Sequence, residues 1–211
     1  MVVDLGRGFS ARQAEVPDHA ALCLVCLKTG DSGADATGIE DAPDLLGMVY
    51  AVPFQVLEPE FCFVVEDRDG TCGYVMGTPD TVRFDQRLED TWFPQLRQRV
   101  GAPPADPLQW KGSDWVRDKI HYPVHVFPER LRPFPAQGHI DLLPRARGKG
   151  VGKSAMKFLM QKLHGAGAPG IHLHVAPRNL KAQAFYRALG FQHMGDPGFP
   201  VHTTFMARPL P

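Results

Sequence analysis

Long apolar runs are missing from this sequence. No segment strings together the roughly 18 apolar residues that a membrane-spanning helix needs, and the first eight residues, MVVDLGRG, lack the charged and apolar regions of a signal peptide. The expectation is a protein of the cytoplasm with no membrane partner. An excess of one charge is missing as well. Lys plus Arg number 23 and Asp plus Glu number 23, so no global field draws the chain to nucleic acid, and any basic patch has to be local. Cysteine is sparse, four in 211 residues, which is too thin for a secreted disulfide scaffold. Cys23 and Cys26 fall three apart in a helical pattern, but a zinc site would want a second close pair or well-placed histidines. Buried thiols and no metal are therefore expected. There is no internal repeat, and the length and 44% apolar content suit one packed domain over residues 1–211.

What the sequence does have is a glycine-rich turn. Residues 140–153 read as an apolar strand stopped by Pro144, then Arg145-Ala-Arg147-Gly148-Lys149-Gly150-Val151-Gly152-Lys153, with a helix starting near Val151. Alternate glycines let successive N–H groups turn toward one point and let a bulky anion approach, and the helix N-terminus adds its dipole. Arg145, Arg147, Lys149 and Lys153 supply positive charge at the rim. The spacing differs from that of a nucleotide P-loop, whose lysine is followed by a hydroxyl residue, and from the dinucleotide fingerprint. A tight strand-to-helix turn with no ligand uses the same residues, so the loop alone leaves both readings open.

Along the chain, residues 9–15 alternate as a strand and 19–29 form a helix with Ala21, Leu22, Val25 and Cys26 on one face. The polar, glycine-rich segment 30–41 is either a substrate-side loop or disordered. A second helix is expected over 44–52, ended by Pro53. Residues 61–66 and 72–77, joined by the turn at 67–70, read as a hairpin of central strands. An amphipathic helix follows over 81–100, with Trp92 and Phe93 in the core. Residues 101–135 form a proline- and aromatic-rich insertion; over 108–134, with Trp110 and Trp115, little regular structure is expected, and packing against the body is favoured over a groove. Beyond it come a strand at 136–143, a helix at 151–164, a strand at 171–176 with alternate His172 and His174, a helix at 180–189 closed by Gly190, and last strands at 191–194 and 203–207 around a Pro/Gly turn. The sheet is mixed, and the fold class is α/β or α+β.

Arg147-Gly-Lys-Gly150-Val-Gly152 resembles the Arg/Gln-x-x-Gly-x-Gly/Ala signature of the Gcn5-related N-acetyltransferase (GNAT) superfamily. Leu173-His-Val175, Asn179, Phe185-Tyr186 and Leu189-Gly190-Phe191 resemble that superfamily's next strand, turn, helix and strand. The runs at 26–33, 42–47, 59–67 and 72–78 are similar to the acetyltransferase-like domain found at the C-terminus of animal O-GlcNAc hydrolases and as stand-alone bacterial proteins. The resemblance implies a GNAT fold: a central mixed, mostly antiparallel twisted sheet of about seven strands, flanked by helices and splayed at the CoA-binding strand. It carries over no glycosidase activity, because the hydrolase domain is not in this sequence.

The resemblance also implies acetyl-CoA as cosubstrate. Its pyrophosphate would lie on the N–H groups of Gly148, Lys149, Gly150, Val151, Gly152 and Lys153, and its pantetheine along the main chain at Leu142 and Leu143. Tyr186 matches the phenol that protonates the departing thiolate, with a core tyrosine as the plain alternative. Asn179 either contacts the carrier or caps the helix that follows it. An amine with a pKa near 10 has to lose a proton before it attacks, and His174 is the first candidate base, with Asp141 in reserve. Alternate histidines on a strand are otherwise one exposed and one hydrogen-bonded. The expected activity is N-acetyl transfer to an unidentified amine, in a protein, a peptide or a small molecule. A weak or inactive module that binds acetyl-CoA or a peptide is the alternative.

Overall fold

The computed structural model describes residues 2–125, 127–195 and 203–211. The first strand is one that sequence patterning passes over: β1 (Val2–Gly6) turns through Arg7 and Gly8, both at positive φ, into β2 (Phe9–Gln13). Helix α1 (His19–Thr29) follows and buries Leu22, Cys23, Val25 and Cys26. Pro53 does not end the second helix as expected. Helix α2 (Leu45–Tyr50) stops earlier, and Pro53 lies in the first turn of α3 (Val52–Leu57), where its missing N–H would be unpaired anyway. Strands β3 (Cys62–Asp67) and β4 (Gly70–Thr78) form the expected hairpin.

The helix expected over 81–100 is interrupted. Helix α4 (Thr81–Arg87) widens into a π-turn at Leu88–Trp92 before α5 (Phe93–Arg97). Pro94 supplies the cause, since it offers no N–H to the preceding turn and its ring crowds the carbonyl four residues back. Trp92 and Phe93 are buried, and the Trp92 indole N–H donates to the Met48 carbonyl at 2.7 Å. The insertion is also more regular than its prolines suggest. It contains α6 (Asp114–His121), whose Val116 and Ile120 are fully buried, and Trp115 donates to Glu40 Oε1 at 3.0 Å. Packing is thus what the insertion does here, although Leu108, Tyr122 and Val124 remain exposed.

Strand β5 (Ala136–Leu142), helix α7 (Val151–Gly165), strand β6 (Gly170–Val175), helix α8 (Leu180–Ala188), and strands β7 (Gln192–His193) and β8 (Thr204–Pro209) complete the chain. Of the Pro/Gly turn expected between the last two strands, residues 196–202 lie outside the described residues. The eight strands make one sheet in the order β1-β2-β3-β4-β5-β6-β8-β7, antiparallel except for β5 with β6. The class and the mixed sheet are as expected, with β1 as the additional strand.

Two large cores flank this sheet, beside a small cluster of Leu131, Phe205 and Ala207 at β8. One holds α7 and α8 residues against Leu173, Val175 and Val75; the other holds α1 to α6 against Cys62, Val64, Tyr74 and Met76. Helix α7 seats deeply because Gly77 and Gly138 pair across β4 and β5, and the notch they leave is filled by Leu159, fully buried. A Cβ on Gly77 would meet the Gln137 carbonyl at 2.3 Å. Burial of a leucine there stabilises the fold by about 2 kcal/mol.

The feature that makes a site is a parting of the sheet. Strand β5 stays on β4 over six residue pairs, from Gly73↔Leu142 to Thr78↔Gln137, yet it pairs with β6 at only two, Ala136↔Ile171 and Gln137↔His172. Beyond them the two parallel strands separate, and the far half of β5 presents an unpaired edge.

Candidate active site

The strand-to-helix turn closes the wide end of the splay. Pro144–Ala146 forms one 3-10 turn, and Arg145 folds back on the β3–β4 hairpin, donating to Asp67 Oδ2 at 2.9 Å and to the Thr71 carbonyl at 2.8 Å. Arg145 is therefore a structural clamp and not the mobile charge expected at the rim. Gly148 and Gly150 follow at φ 72° and 82°, a region that costs an L side chain about 1–2 kcal/mol, and a Cβ on either would meet nothing within 4 Å. Gly150 is the N-cap of α7 and gives no side-chain cap. Among the described residues, the N–H groups from Gly148 through Lys153 find no main-chain acceptor; the helical ladder starts with Ser154 N–H donating to the Gly150 carbonyl. Six donors thus lack a main-chain acceptor at the positive end of a 15-residue helix.

An open cleft of about 1510 Å³ runs from this loop along the unpaired edge. One wall is the end of β5 and the loop, with Ile140, Asp141, Leu142, Leu143, Arg147, Gly148, Gly150, Gly152 and Lys153. Facing it are Asn179, Ala182, Phe185 and Tyr186, from the turn before α8 and from α8 itself. The third side is Leu24 and Lys28 of α1 with residues 32–35 of the following loop. That loop borders the mouth of the cleft: Arg178 reaches Asp31 and donates to Ser32 Oγ at 2.7 Å.

Main-chain polarity along β5 separates two residues that the sequence had paired. Leu143 N–H donates to the Cys72 carbonyl at 2.8 Å, so it is occupied. Because an antiparallel ladder alternates, Leu142 and Ile140 aim their N–H and carbonyl groups the other way, into the splay. The Leu142 carbonyl accepts Arg147 Nε at 2.6 Å, which leaves the Leu142 N–H. Lys149 and Val151 do not send side chains into the cleft. Lys149 Nζ lies 5.2 Å over the Phe9 ring, and Val151 is fully buried in the core. Asn179 caps α8, its Oδ1 accepting the Ala182 N–H at 3.0 Å, while its side chain also borders the cleft.

His174 and Asp141 are the two candidate bases, and Tyr186 is the candidate acid. His174 stands on the face of β6 opposite Leu173 and Val175 and is not part of the cleft wall; its ring packs on His172 and Phe205. It keeps exposed surface, yet desolvation, then the charges of His172, His139 and Lys119, lowers its pKa. His172 is buried, with Nδ1 2.7 Å from the Phe134 carbonyl, and desolvation brings it down to about 4. One exposed and one hydrogen-bonded histidine is thus what the strand carries. Asp141, by contrast, lines the cleft. Its Oδ2 accepts the Tyr74 hydroxyl at 2.6 Å and lies 3.1 Å from His139 Nε2. Tyr186 is buried between Phe185 and Phe191; desolvation, then the Asp141 charge, raises its phenol, which keeps its proton at neutral pH. Tyr74 and His139 went unnoticed in the sequence: Tyr74 meets Asp141 only through strand register, and His139, two residues before Asp141 on the same strand, showed no signal of its own.

The cysteines are free and buried, with desolvation raising Cys23 and Cys72 to about 11 and Cys26 and Cys62 further. They are protonated and inert at neutral pH. Among the described residues no His, Cys, Asp and Glu group is arranged to hold a metal, and no helix is long and apolar enough to cross a membrane.

Comparison with known proteins bears on the same region. The family model described as acetyltransferase (GNAT) family matches residues 130–191, which hold β5, the glycine loop, α7, β6 and α8. The O-GlcNAcases of Rattus norvegicus and Mus musculus are 29% identical over 195 residues, 92% of this chain but 21% of their own length. The chain thus spans about a fifth of the curated relatives it matches. The crystal structure of SsHAT is 31% identical, covers 97% of this chain and 99% of its own, and superposes with a TM-score of 0.88. A phosphinothricin acetyltransferase from Sinorhizobium meliloti, solved in complex with AcCoA, shares the fold at 18% identity and a TM-score of 0.55, over 96% of this chain and 89% of its own. On these matches and the splayed sheet together, the chain belongs to the acetyltransferase (GNAT) family.

Proposed function

We propose that this protein is an N-acetyltransferase that uses acetyl-CoA and an amine acceptor, acting as one domain over its 211 residues. The observation that carries this reading is the run of unpaired N–H groups from Gly148 to Lys153 at the head of α7, opening on the cleft left by β5 and β6. Such a run is a built anion site, and the open space in front of Gly148 and Gly150 suits a pyrophosphate. Arg147 and Lys153 would add charge there. The acetyl-CoA reported in the Sinorhizobium meliloti enzyme is consistent with this fit.

The chain's own groups supply the rest. Leu142 N–H, aimed into the splay, would polarise the acetyl carbonyl. Asp141 is the better-favoured base than His174, because it borders the same cleft as Tyr186 whereas His174 does not line it. Asp141 would take one proton from the ammonium before attack; as the C–S bond breaks, the Tyr186 hydroxyl would protonate the departing thiolate and the resulting phenolate would take the second amine proton, leaving one net proton on Asp141 to pass to solvent. Desolvation of Tyr186 favours the protonated phenol that this role needs.

The test is release of free CoA from acetyl-CoA, followed with a thiol reagent, against a panel of primary amines and lysine peptides. Acceptor-dependent release is expected. Binding of acetyl-CoA with no release across the panel would instead favour a carrier-binding module.

A further inference from the structure

We infer that Tyr74 and His139 are positioning residues that hold Asp141 as a recognition group for a protonated primary amine, so that the acceptor enters the cleft as a cation. The inference rests on the proposed acetyl transfer and names the acceptor's charge. Tyr74 lies on β4 in register with Asp141 on β5, and its side chain is fully buried. Packing alone would be satisfied by phenylalanine; the hydroxyl is retained in the core by its 2.6 Å bond to Asp141 Oδ2. His139 precedes Asp141 by two residues and so shares its face. Its Nε2 is 3.1 Å from the same Oδ2, and its ring stands edge-on to Tyr74 at 5.2 Å. Both contacts fall on one oxygen. Among the described residues Oδ1 accepts no hydrogen bond, and it is not a buried orphan atom.

The remaining charges of the cleft give this oxygen its meaning. Lys28 is paired with Asp35, Arg145 with Asp67 and Arg178 with Asp31. Asp141 has no Lys or Arg partner among the described residues; it is held by a phenol and an imidazole. The cationic groups Arg147 and Lys153 lie at the glycine loop, and Lys181 lies on the facing wall in the first turn of α8. The cleft thus combines an anion site at the loop with a fixed carboxylate on β5. A carboxylate with one oxygen clamped and the other open binds an ammonium group at a set distance and angle, and later accepts its proton.

The probe is n-butylammonium chloride, with n-butanol as the neutral comparison, added to the whole chain labelled with carbon-13 at the Asp carboxyls. The Asp141 signal is assigned from its loss in Asp141→Asn, which keeps an acceptor for Tyr74. The expected result is a saturable shift of that signal, with half-saturation about tenfold lower for butylammonium than for butanol. Tyr74→Phe and His139→Gln should each weaken butylammonium binding severalfold while acetyl-CoA affinity stays within about twofold. A purely structural role would change thermal stability and leave the ammonium preference alone. Equal response to butanol and butylammonium overturns the inference, as does wild-type ammonium preference in both variants. Should either variant fail to fold, the other and the wild-type comparison still decide. Failure of acetyl-CoA to bind the wild type counts separately, against the proposed transfer.

Discussion

Gly150 offers the sharpest handle on the anion site. It stands at φ 82° as the N-cap of α7, and a Cβ there would touch nothing within 4 Å. Gly150→Ala therefore adds backbone strain without a clash, about 1–2 kcal/mol for an L residue held in the left-handed region. Relief by moving the helix is blocked, because Val151, Ala155, Met156 and Leu159 are fully buried behind it. For a chain of this size that strain lowers Tm by roughly 2–8 °C. Gly150→Glu bears the same strain but regains about 0.3–1 kcal/mol from the helix N-terminus, so it should be as stable as the alanine variant or slightly more so. Binding separates the two. The glutamate puts a negative group in front of the N–H donors and competes for them, so acetyl-CoA should produce no thermal shift with Gly150→Glu and a reduced one with Gly150→Ala. The assay is scanning fluorimetry with and without acetyl-CoA, backed by calorimetry. A folded Gly150→Glu that binds acetyl-CoA as the wild type does would refute the assignment of this loop to the pyrophosphate.

Other consequences follow from named contacts. Tyr186→Phe should lower kcat by about 100-fold with acetyl-CoA affinity kept; an unchanged kcat removes it as the acid. Arg178→Ala releases the loop that spans the cleft at Asp31 and Ser32. Its exposed ion pair contributes less than about 1 kcal/mol, so stability should barely change while KM for acetyl-CoA rises in steady-state kinetics. Arg12 donates to Asp18 at 2.7 and 2.8 Å and also to Glu66, and the Arg12 hydrogen bonds, then the Glu15 N–H, hold the Asp18 carboxyl below its ordinary value. A lowered carboxylate pKa stabilises the fold above the unfolded-state value, and this contribution is lost as pH falls through the folded one. Urea unfolding should therefore show Arg12→Ala about 2 kcal/mol less stable near pH 7, with the gap narrowing below about pH 4.

The parts of this molecule that were legible in sequence are those set by local rules. The glycines at 148, 150 and 152 announced a strand-to-helix turn, and α7 and α8 showed their apolar faces. The buried cysteines and the β3–β4 hairpin were equally plain. Three things were hidden, each for a physical reason. Strand β1 is five residues long with Gly6 and Gly8 bracketing its turn, too short for alternation to stand out. Helix α6 lies among prolines but contains none, and its burial rests on two residues a turn apart, Val116 and Ile120. The cluster of Tyr74, His139 and Asp141 depends on Tyr74, 67 residues before Asp141, which only the β4–β5 register brings to the other two. The same register shows why Leu142 and Leu143, adjacent in sequence, have opposite fates. Arg145, one of four similar cations by sequence, proved to be committed to the hairpin.

The claim on which the account turns is that the wide end of the β5–β6 splay receives acetyl-CoA. Isothermal titration of the wild-type chain with acetyl-CoA tests it directly. Saturable heat with one carrier per chain is the predicted result; no heat and no thermal shift at millimolar acetyl-CoA would contradict it.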